Sequence, residues 1–285
     1  MIIWRDGALV EGGSALSADD RGWLIGDAAF ETVLVRKGAP AFLEAHLDRL
    51  RGGLGVLGIA APLDQMSIRE AIAAAAAKNS LDAMAACRIT ISRVGGPRGL
   101  APSAAARAQT VISLAPLQPP KGEGRVIVSM RRRFSGATTN AFKCAGAYAE
   151  NMIARIEAAA VGADEAIMLN ERGRVASATS ANVFAIAGGR IATPPVSEGA
   201  MPGVVRAILI EEAKRLGLDL AETPVEPQAL AGATIALTNS IVGVKRCALE
   251  EGRHANDDAV FERLAAAYDR RLAAAWSAAE ERRGA

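Results

Sequence analysis

Two hydrophobic periods alternate along the chain, and each marks a kind of element. IIWRDGALV (2–10) reads as two short strands around Asp6-Gly7, a dipeptide suited to the positive-φ positions of a tight hairpin. FETVLVRKGAPAF (30–42) repeats the plan with Lys37-Gly38 at its turn. The period then lengthens: Leu43, Leu47, Leu50, Leu54 and Leu57 share one helical face, and 68–80 is a second helix. CRITISRV (87–94) and TVISLAPL (110–117) return to strand on either side of a GGPRGLAP loop. QPPKGEG (118–124) breaks both periods and is read as a linker between an N-terminal domain, 1–117, and a C-terminal one, 125–285.

Beyond the linker, RVIVSM (125–130) is a strand. Residues 147–161 place Ala149, Met152, Ile153, Ile156 and Ala160 on one helical face and stop at Gly162. Hairpins turning at 170–173 and at Gly188-Gly189 follow. A helix over 204–217 carries the stripe Ile208, Leu209, Ala213 and Leu216; 234–240 is a buried strand, and 257–282 a long amphipathic helix. Two-strand units alternating with helices predict a mixed α+β class.

Composition narrows the setting. Hydrophobic residues make up 51% of the 285, enough for cores without covalent staples. The three cysteines, Cys87, Cys144 and Cys247, have no short repeat spacing, which argues against a disulfide framework or zinc knuckle and suits a reducing compartment. His46 and His254 are too few and too far apart to suggest a metal site. The 33 basic and 31 acidic residues are intermixed, so no domain-wide field points to nucleic acid, and Arg131, Arg132 and Arg133 read as a solvated strand edge. Charges stand among the first residues and flank every apolar run, so neither a secretory signal nor a membrane span is expected. A cytoplasmic protein that binds neither nucleic acid nor membrane is the expectation.

Candidate chemistry starts at Pro202-Gly203, just ahead of a helix. The N–H groups of Val204 and Val205 fall in its first turn, without intrahelical partners and at the positive end of the dipole, which makes an anion seat. Most helix starts offer such donors only to water. Arg49, in HLDRL (46–50), lies opposite the apolar stripe of its helix and alone reads as a surface arginine, with His46 packing beside it. Asp27 reads as a brace for the turn before a strand. SATSANVFAI (177–186) opens with hydroxyl side chains, ordinarily turn material. In FKCAGAYAEN (142–151), small and apolar residues follow Lys143, with Tyr148 five positions on; by itself such a lysine snorkels from a helix start.

In this order, HLDRL, Lys143 with Tyr148, GADEAIMLNERGRV, ANVF, TPP and MPGVVR resemble the fold-type IV pyridoxal-phosphate enzymes, over roughly Asp20 to Lys245. That family includes branched-chain and D-amino-acid aminotransferases, R-selective amine transaminases and aminodeoxychorismate lyase. The resemblance implies a small N-terminal domain, a larger domain that binds pyridoxal 5'-phosphate, and a homodimer. It implies that Lys143 forms the Schiff base and shuttles the proton, that Tyr148 holds the phenolic oxygen, and that Arg49, Val204, Val205 and Ser240 cradle the phosphate. Asn182 becomes a supporting residue, and the small neighbours of Lys143 make room for a flat ring.

Four positions depart from or complicate the pattern. Ser177 stands where the family carries the glutamate that pairs with the pyridine nitrogen; a hydroxyl supplies no charge, so the ring is expected to be a weaker electron sink. Glu171, across the predicted turn, is not expected to replace it. Arg98, in SRVGGPRGLAP (92–102), matches an arginine that meets a substrate carboxylate in D-amino-acid transaminases and aminodeoxychorismate lyases, or is a loop arginine in water. Leu100 and Leu34 replace the histidine and arginine of the two standard substrate signatures. Transfer of an amino group between a small amino acid and a 2-keto acid is the leading expectation. Pyruvate elimination from aminodeoxychorismate, and a diverged cofactor-binding protein with little turnover, are the alternatives.

Overall fold

The computed structural model describes residues 1–12, 17–96, 99–118, 122–249 and 258–284. Arg98, His254 and positions 119–121 of the expected linker lie outside the described residues. The chain divides into two compact units: Met1–Gln118 with Phe142–Ala147 and Leu272–Ala285, and Pro119–Ala141 with Tyr148–Arg271. Each combines helices with a sheet, the mixed α+β class expected. Among the described residues no helix is long and apolar enough to cross a membrane.

The first unit is built on β1 (Ile2–Arg5), β2 (Ala8–Glu11), β3 (Ala28–Arg36), β4 (Ala39–Pro40), β5 (Met84–Val94) and β6 (Arg107–Pro116), ordered β2-β1-β6-β5-β3-β4. Both expected hairpins form, with Asp6 and Gly7 at φ 47° and 100° and Lys37 and Gly38 at 49° and 74°. Helix α1 (Arg21–Ile25) is too short to leave a period in the sequence. The Asp20 carboxylate caps it, accepting from the N–H groups of Gly22 and Trp23, and Gly26 closes it at φ 71°. Helix α2 (Leu43–Leu57) follows the predicted face and α3 (Gln65–Lys78) forms where a second helix was expected: Leu43, Leu47, Leu50 and Leu54 join Val33, Ile72 and Ile89 in one core.

Gly52, Gly53 and Gly55 each cost α2 up to about 1 kcal/mol of helix propensity. Every buried leucine contributes about 1.5–3 kcal/mol, so packing wins and the helix holds. Gly53 also has a local reason, since a Cβ there would run into the Phe142 ring.

The second unit carries β7 (Gly124–Arg133), β8 (Glu165–Asn170), β9 (Val175–Ala178), β10 (Asn182–Ala187), β11 (Arg190–Thr193), β12 (Asp219–Glu222), β13 (Thr234–Asn239) and β14 (Gly243–Leu249). They are ordered β12-β11-β10-β13-β14-β7-β8-β9, with β14-β7, β7-β8 and β11-β12 parallel. The largely exposed β12 and the half-buried, charge-bearing β14 lack clean alternation, which hid them from the sequence. Strand β8 is buried along its length, sending Ile167 into one cluster and Met168 into another.

Helix α4 (Ala149–Ala160) corrects the sequence reading of its face. Ala154 and Ala158 pack on Ala166 and Met168, Asn151 is buried beside them, and Met152, Ile153 and Ile156 are exposed. Small residues let a helix approach a sheet closely, so the alanines were the packing surface and the larger apolar residues were not. Helix α5 (Val204–Arg215) buries Ile208, Leu209 and Ala213 as expected. In the last turns of α6 (Asp258–Gly284), Trp276 and Ala279 pack with Leu34, Ala39 and Ala41 of the first unit.

Candidate active site

In the first unit, chemistry gathers around Glu31, an acidic residue in the middle of a buried strand. Both of its oxygens accept: Oε1 from Arg49 Nε at 2.6 Å, Oε2 from Arg49 Nη2 at 2.8 Å and from His46 Nδ1 at 2.8 Å. His46 and Arg49 stand three residues apart on α2 and so share the face turned to β3. The surface alternative for Arg49 is therefore corrected: its side chain is 9% exposed and locked to a carboxylate. Burial pushes the Glu31 carboxyl upward, but the Arg49 and His46 hydrogen bonds and charges overcome it and hold the group at about 2. At His46 burial dominates, lowering the imidazole against the pull of Glu31.

Lys143 is tied to the same strand through its backbone. Its carbonyl accepts from the Phe30 N–H at 2.9 Å, and Ala29 forms a bridge with Cys144. The lysine thus lies in a short irregular segment docked on β3, and α4 starts only at Ala149. Phe142 seats against Gly53, and Gly146 lies so close to Gly26 that a Cβ at Gly26 would collide with it. Backbone packing thus accounts for the absence of a Cβ at Gly26, whereas a Cβ at Gly146 would meet only ordinary contacts, the nearest being the Ile25 and Gly26 carbonyl oxygens at 3.4 Å.

Lys143 Nζ is 5.4 Å from the Phe30 ring centroid, and the Arg88 guanidinium lies 3.7 Å over that ring. Burial lowers the ammonium to about 8; Glu31 opposes the shift, and Arg49 and Arg88 add to it. An amine in that state is neutral in a useful fraction near physiological pH, as a nucleophile or base requires.

In the second unit, Tyr148 is half-buried immediately ahead of α4. Ser177 on β9 is buried, and its Oγ has no hydrogen-bond partner among the described residues; Thr238 Oγ1 on β13 is in the same condition. Glu171 is committed elsewhere, accepting from Ser135 N and Oγ at 2.8 and 2.6 Å. Asn182 donates from Nδ2 to the Met201 carbonyl at 2.8 Å, and its Oδ1 fills the space a Cβ at Gly203 would need. Gly203 leads directly into α5, which has no side-chain cap, so the first-turn N–H groups at Val204 and Val205 depend on some other acceptor. Ser240 is half-buried just past β13.

Sequence reasoning missed two carboxylates. Glu165 on β8 is buried and accepts from Thr179 Oγ1, Ser180 Oγ and the Ala166 N–H, so the hydroxyl run after Ser177 serves it. Its signal was an acidic residue at the head of the apolar run AIML. Glu31 gave the same signal in FETVL. Asp27, read as a brace, accepts from Arg21 Nε at 2.8 Å and Arg93 Nε at 3.0 Å.

With this geometry in hand, similarity to known proteins is informative. The model of the amino-transferase class IV family matches residues 28–248. A Methanocaldococcus jannaschii protein described as a putative branched-chain-amino-acid aminotransferase is 30% identical over 230 residues, 79% of each chain. The aminodeoxychorismate lyase of Bacillus subtilis is 31% identical over 254 residues, 85% of this chain and 84% of its own. The crystal structure of a branched-chain aminotransferase from Thermoproteus uzoniensis with norvaline matches with a TM-score of 0.86 at 25% identity, covering 95% of this chain and 94% of that one.

Proposed function

Because this chain belongs to the class IV aminotransferases, we propose that it is a pyridoxal-phosphate-dependent aminotransferase that moves an amino group between a small amino acid and a 2-keto acid, with Lys143 as its reacting amine. The observation that carries the reading is the half-buried Lys143, whose amine is lowered to about 8 by desolvation, with Arg49 and Arg88 adding to the shift. When bound, the cofactor supplies an aldehyde that condenses with amines and a conjugated ring that takes up the electron pair left at the substrate Cα.

The residues present fit such a group. The lysine is prepared to lose its proton, α5 starts without a cap, and Ser177 Oγ is a buried hydroxyl in need of a partner. In this reading the neutral Nζ of Lys143 would hold the cofactor and, once displaced by the substrate amine, would carry the proton between the substrate Cα and the cofactor C4′. Arg49 is read as supplying positive charge for a phosphate, and the N–H groups of Val204 and Val205 and the Ser240 hydroxyl as supplying donors. The Tyr148 hydroxyl serves the phenolic oxygen, Ser177 Oγ donates to the ring nitrogen, Asn182 supports the turn at Gly203, and Arg98 meets the substrate carboxylate.

Ser177 favours a second reading within the same chemistry. A ring held by a hydroxyl is a poorer electron sink, and an elimination driven by aromatisation tolerates that better than transamination does; the likeness to the Bacillus subtilis lyase supports the same alternative. For either reaction a homodimer is the proposed assembly. Met130, Met152 and Ile156, exposed by 80%, 60% and 67%, support it as an apolar surface fit for a second copy.

The test is direct. Purified protein incubated with pyridoxal 5'-phosphate is expected to gain visible absorbance, and borohydride to fix the label at Lys143; a Lys143→Ala variant gains neither. A panel of D- and L-amino acids is expected to shift the absorbance toward the aminated cofactor. No shift across the panel, with pyruvate released from aminodeoxychorismate, selects the lyase. Silence in both assays with cofactor bound indicates a binding protein, and a colourless protein overturns the reading.

A further inference from the structure

Glu31 takes no direct part in the chemistry just described, yet Arg49 and His46, two of the groups near Lys143, both contact it. Its side chain is 0% exposed, and a buried carboxylate without partners would be strongly destabilising. An ionised carboxylate can only accept, so the His46 Nδ1 facing it at 2.8 Å carries the hydrogen. Burial keeps that imidazole from charging readily, which leaves Glu31 as an anion facing one guanidinium and one neutral donor. Arg49 engages it through Nε and Nη2 together, a two-point contact that specifies the plane of the guanidinium as well as its place.

Lys143 meets this cluster through the backbone. The bridge from Ala29 to Cys144 and the Phe30–Lys143 hydrogen bond set the lysine alongside the part of β3 that bears Glu31. The charged and titratable groups that act on its amine come from three elements: Glu31 on β3, His46 and Arg49 on α2, and Arg88 on β5. Burial drives the proton off the amine, Glu31 is the carboxylate that opposes it, and Arg49 and Arg88 add to the effect of burial.

We propose that Glu31 is a positioning residue, which fixes the orientation of the Arg49 guanidinium and holds a negative charge against the Lys143 amine without itself touching the cofactor. The proposal rests on reading Lys143 as the cofactor-bonding amine. It gives one carboxylate two tasks: an arginine read as a phosphate ligand must not swing, and a desolvated lysine must not become too weak a base to take up the Cα proton.

The two tasks separate experimentally. In the full chain without cofactor, the titration midpoint of Lys143 can be read by competitive acetylation with mass spectrometry across pH 6–10. Glu31→Gln removes the charge and is expected to lower that midpoint by about one pH unit or more. It is also expected to raise the Kd for pyridoxal 5'-phosphate about tenfold or more, because Gln presents a donor to groups that themselves donate. Glu31→Asp keeps the charge but is one methylene short of the two-point contact, so the midpoint is expected to stay within about half a unit while the Kd still rises. A folded Glu31→Gln protein with an unmoved Lys143 midpoint overturns the proposal, whatever its affinity. If that variant does not fold, as judged by circular dichroism, Glu31→Asp carries the test, and a displaced midpoint or an unchanged Kd overturns it. Because the midpoint is measured without cofactor, failure here is distinct from failure of borohydride to label Lys143.

Discussion

Desolvation is the largest influence on Lys143, and its direction makes a prediction at the scale of one residue. With the ammonium lowered to about 8, roughly a tenth of the amine is neutral at pH 7 and most of it at pH 9. Covalent uptake of pyridoxal 5'-phosphate, followed by stopped-flow absorbance, is therefore expected to accelerate as pH rises through about 8 and then level off. A rate that keeps rising tenfold per unit to pH 10 would mean an ordinary solvated lysine. Ser177 makes a second prediction. Ser177→Glu buries a carboxylate where the hydroxyl has no partner, so the cofactor-free protein is expected to lose about 3 kcal/mol or more of stability. Adding cofactor is expected to restore it, with a faster half-reaction than the parent protein. Loss of stability without recovery, or an unchanged rate with cofactor bound, would remove Ser177 from the ring nitrogen.

Helix α2 illustrates how an element is held against its own propensity. Its glycines are poor helix formers, and their surroundings differ: Gly52 and Gly55 have no atom near a would-be Cβ, while Gly53 faces the Phe142 ring. The same substitution should thus have opposite signs within one turn. Gly52→Ala and Gly55→Ala are expected to stabilise by about 0.5–1 kcal/mol. Gly53→Ala gains the same propensity but forces the ring aside, an overpacking cost of about 1–3 kcal/mol, so it is expected to destabilise on balance. Because Phe142 immediately precedes Lys143, Gly53→Ala is also expected to slow cofactor uptake. Urea denaturation and the absorbance assay check both halves, and three variants of equal sign would show that the ring does not rely on the gap.

At the scale of the whole molecule, the exposed apolar residues of β7 and α4 bear on assembly. Met152 and Ile156 belong to the stripe that periodicity marked as a buried face, and in a single chain they are not covered. If a second copy covers them, light scattering should give the mass of two chains. Ile156→Asp should shift the protein toward one chain and weaken the apparent stability in a concentration-dependent way. A parent protein with the mass of one chain, or a variant dimer as tight as the parent, would exclude this surface as the interface.

The sequence alone determined the class of each unit, most strands and helices, and the positions of Lys143, Arg49 and the start of α5, because hydrophobic period and ordered short motifs are local properties of the chain. It also marked Ser177, since a missing charge is visible in one letter. Tertiary structure decided the rest. An acidic residue in an apolar strand does not announce its partners, and Glu31 finds Arg49 across a separation of 18 residues once α2 lies against β3. Nor does periodicity say which side of α4 meets the sheet, since that depends on how closely a neighbour can approach, and Ala154 and Ala158 permit the closer contact. Lys143 was legible as a lysine at a position matching a family motif; the lowering of its ammonium was not, because burial and the charges of β3, α2 and β5 set that.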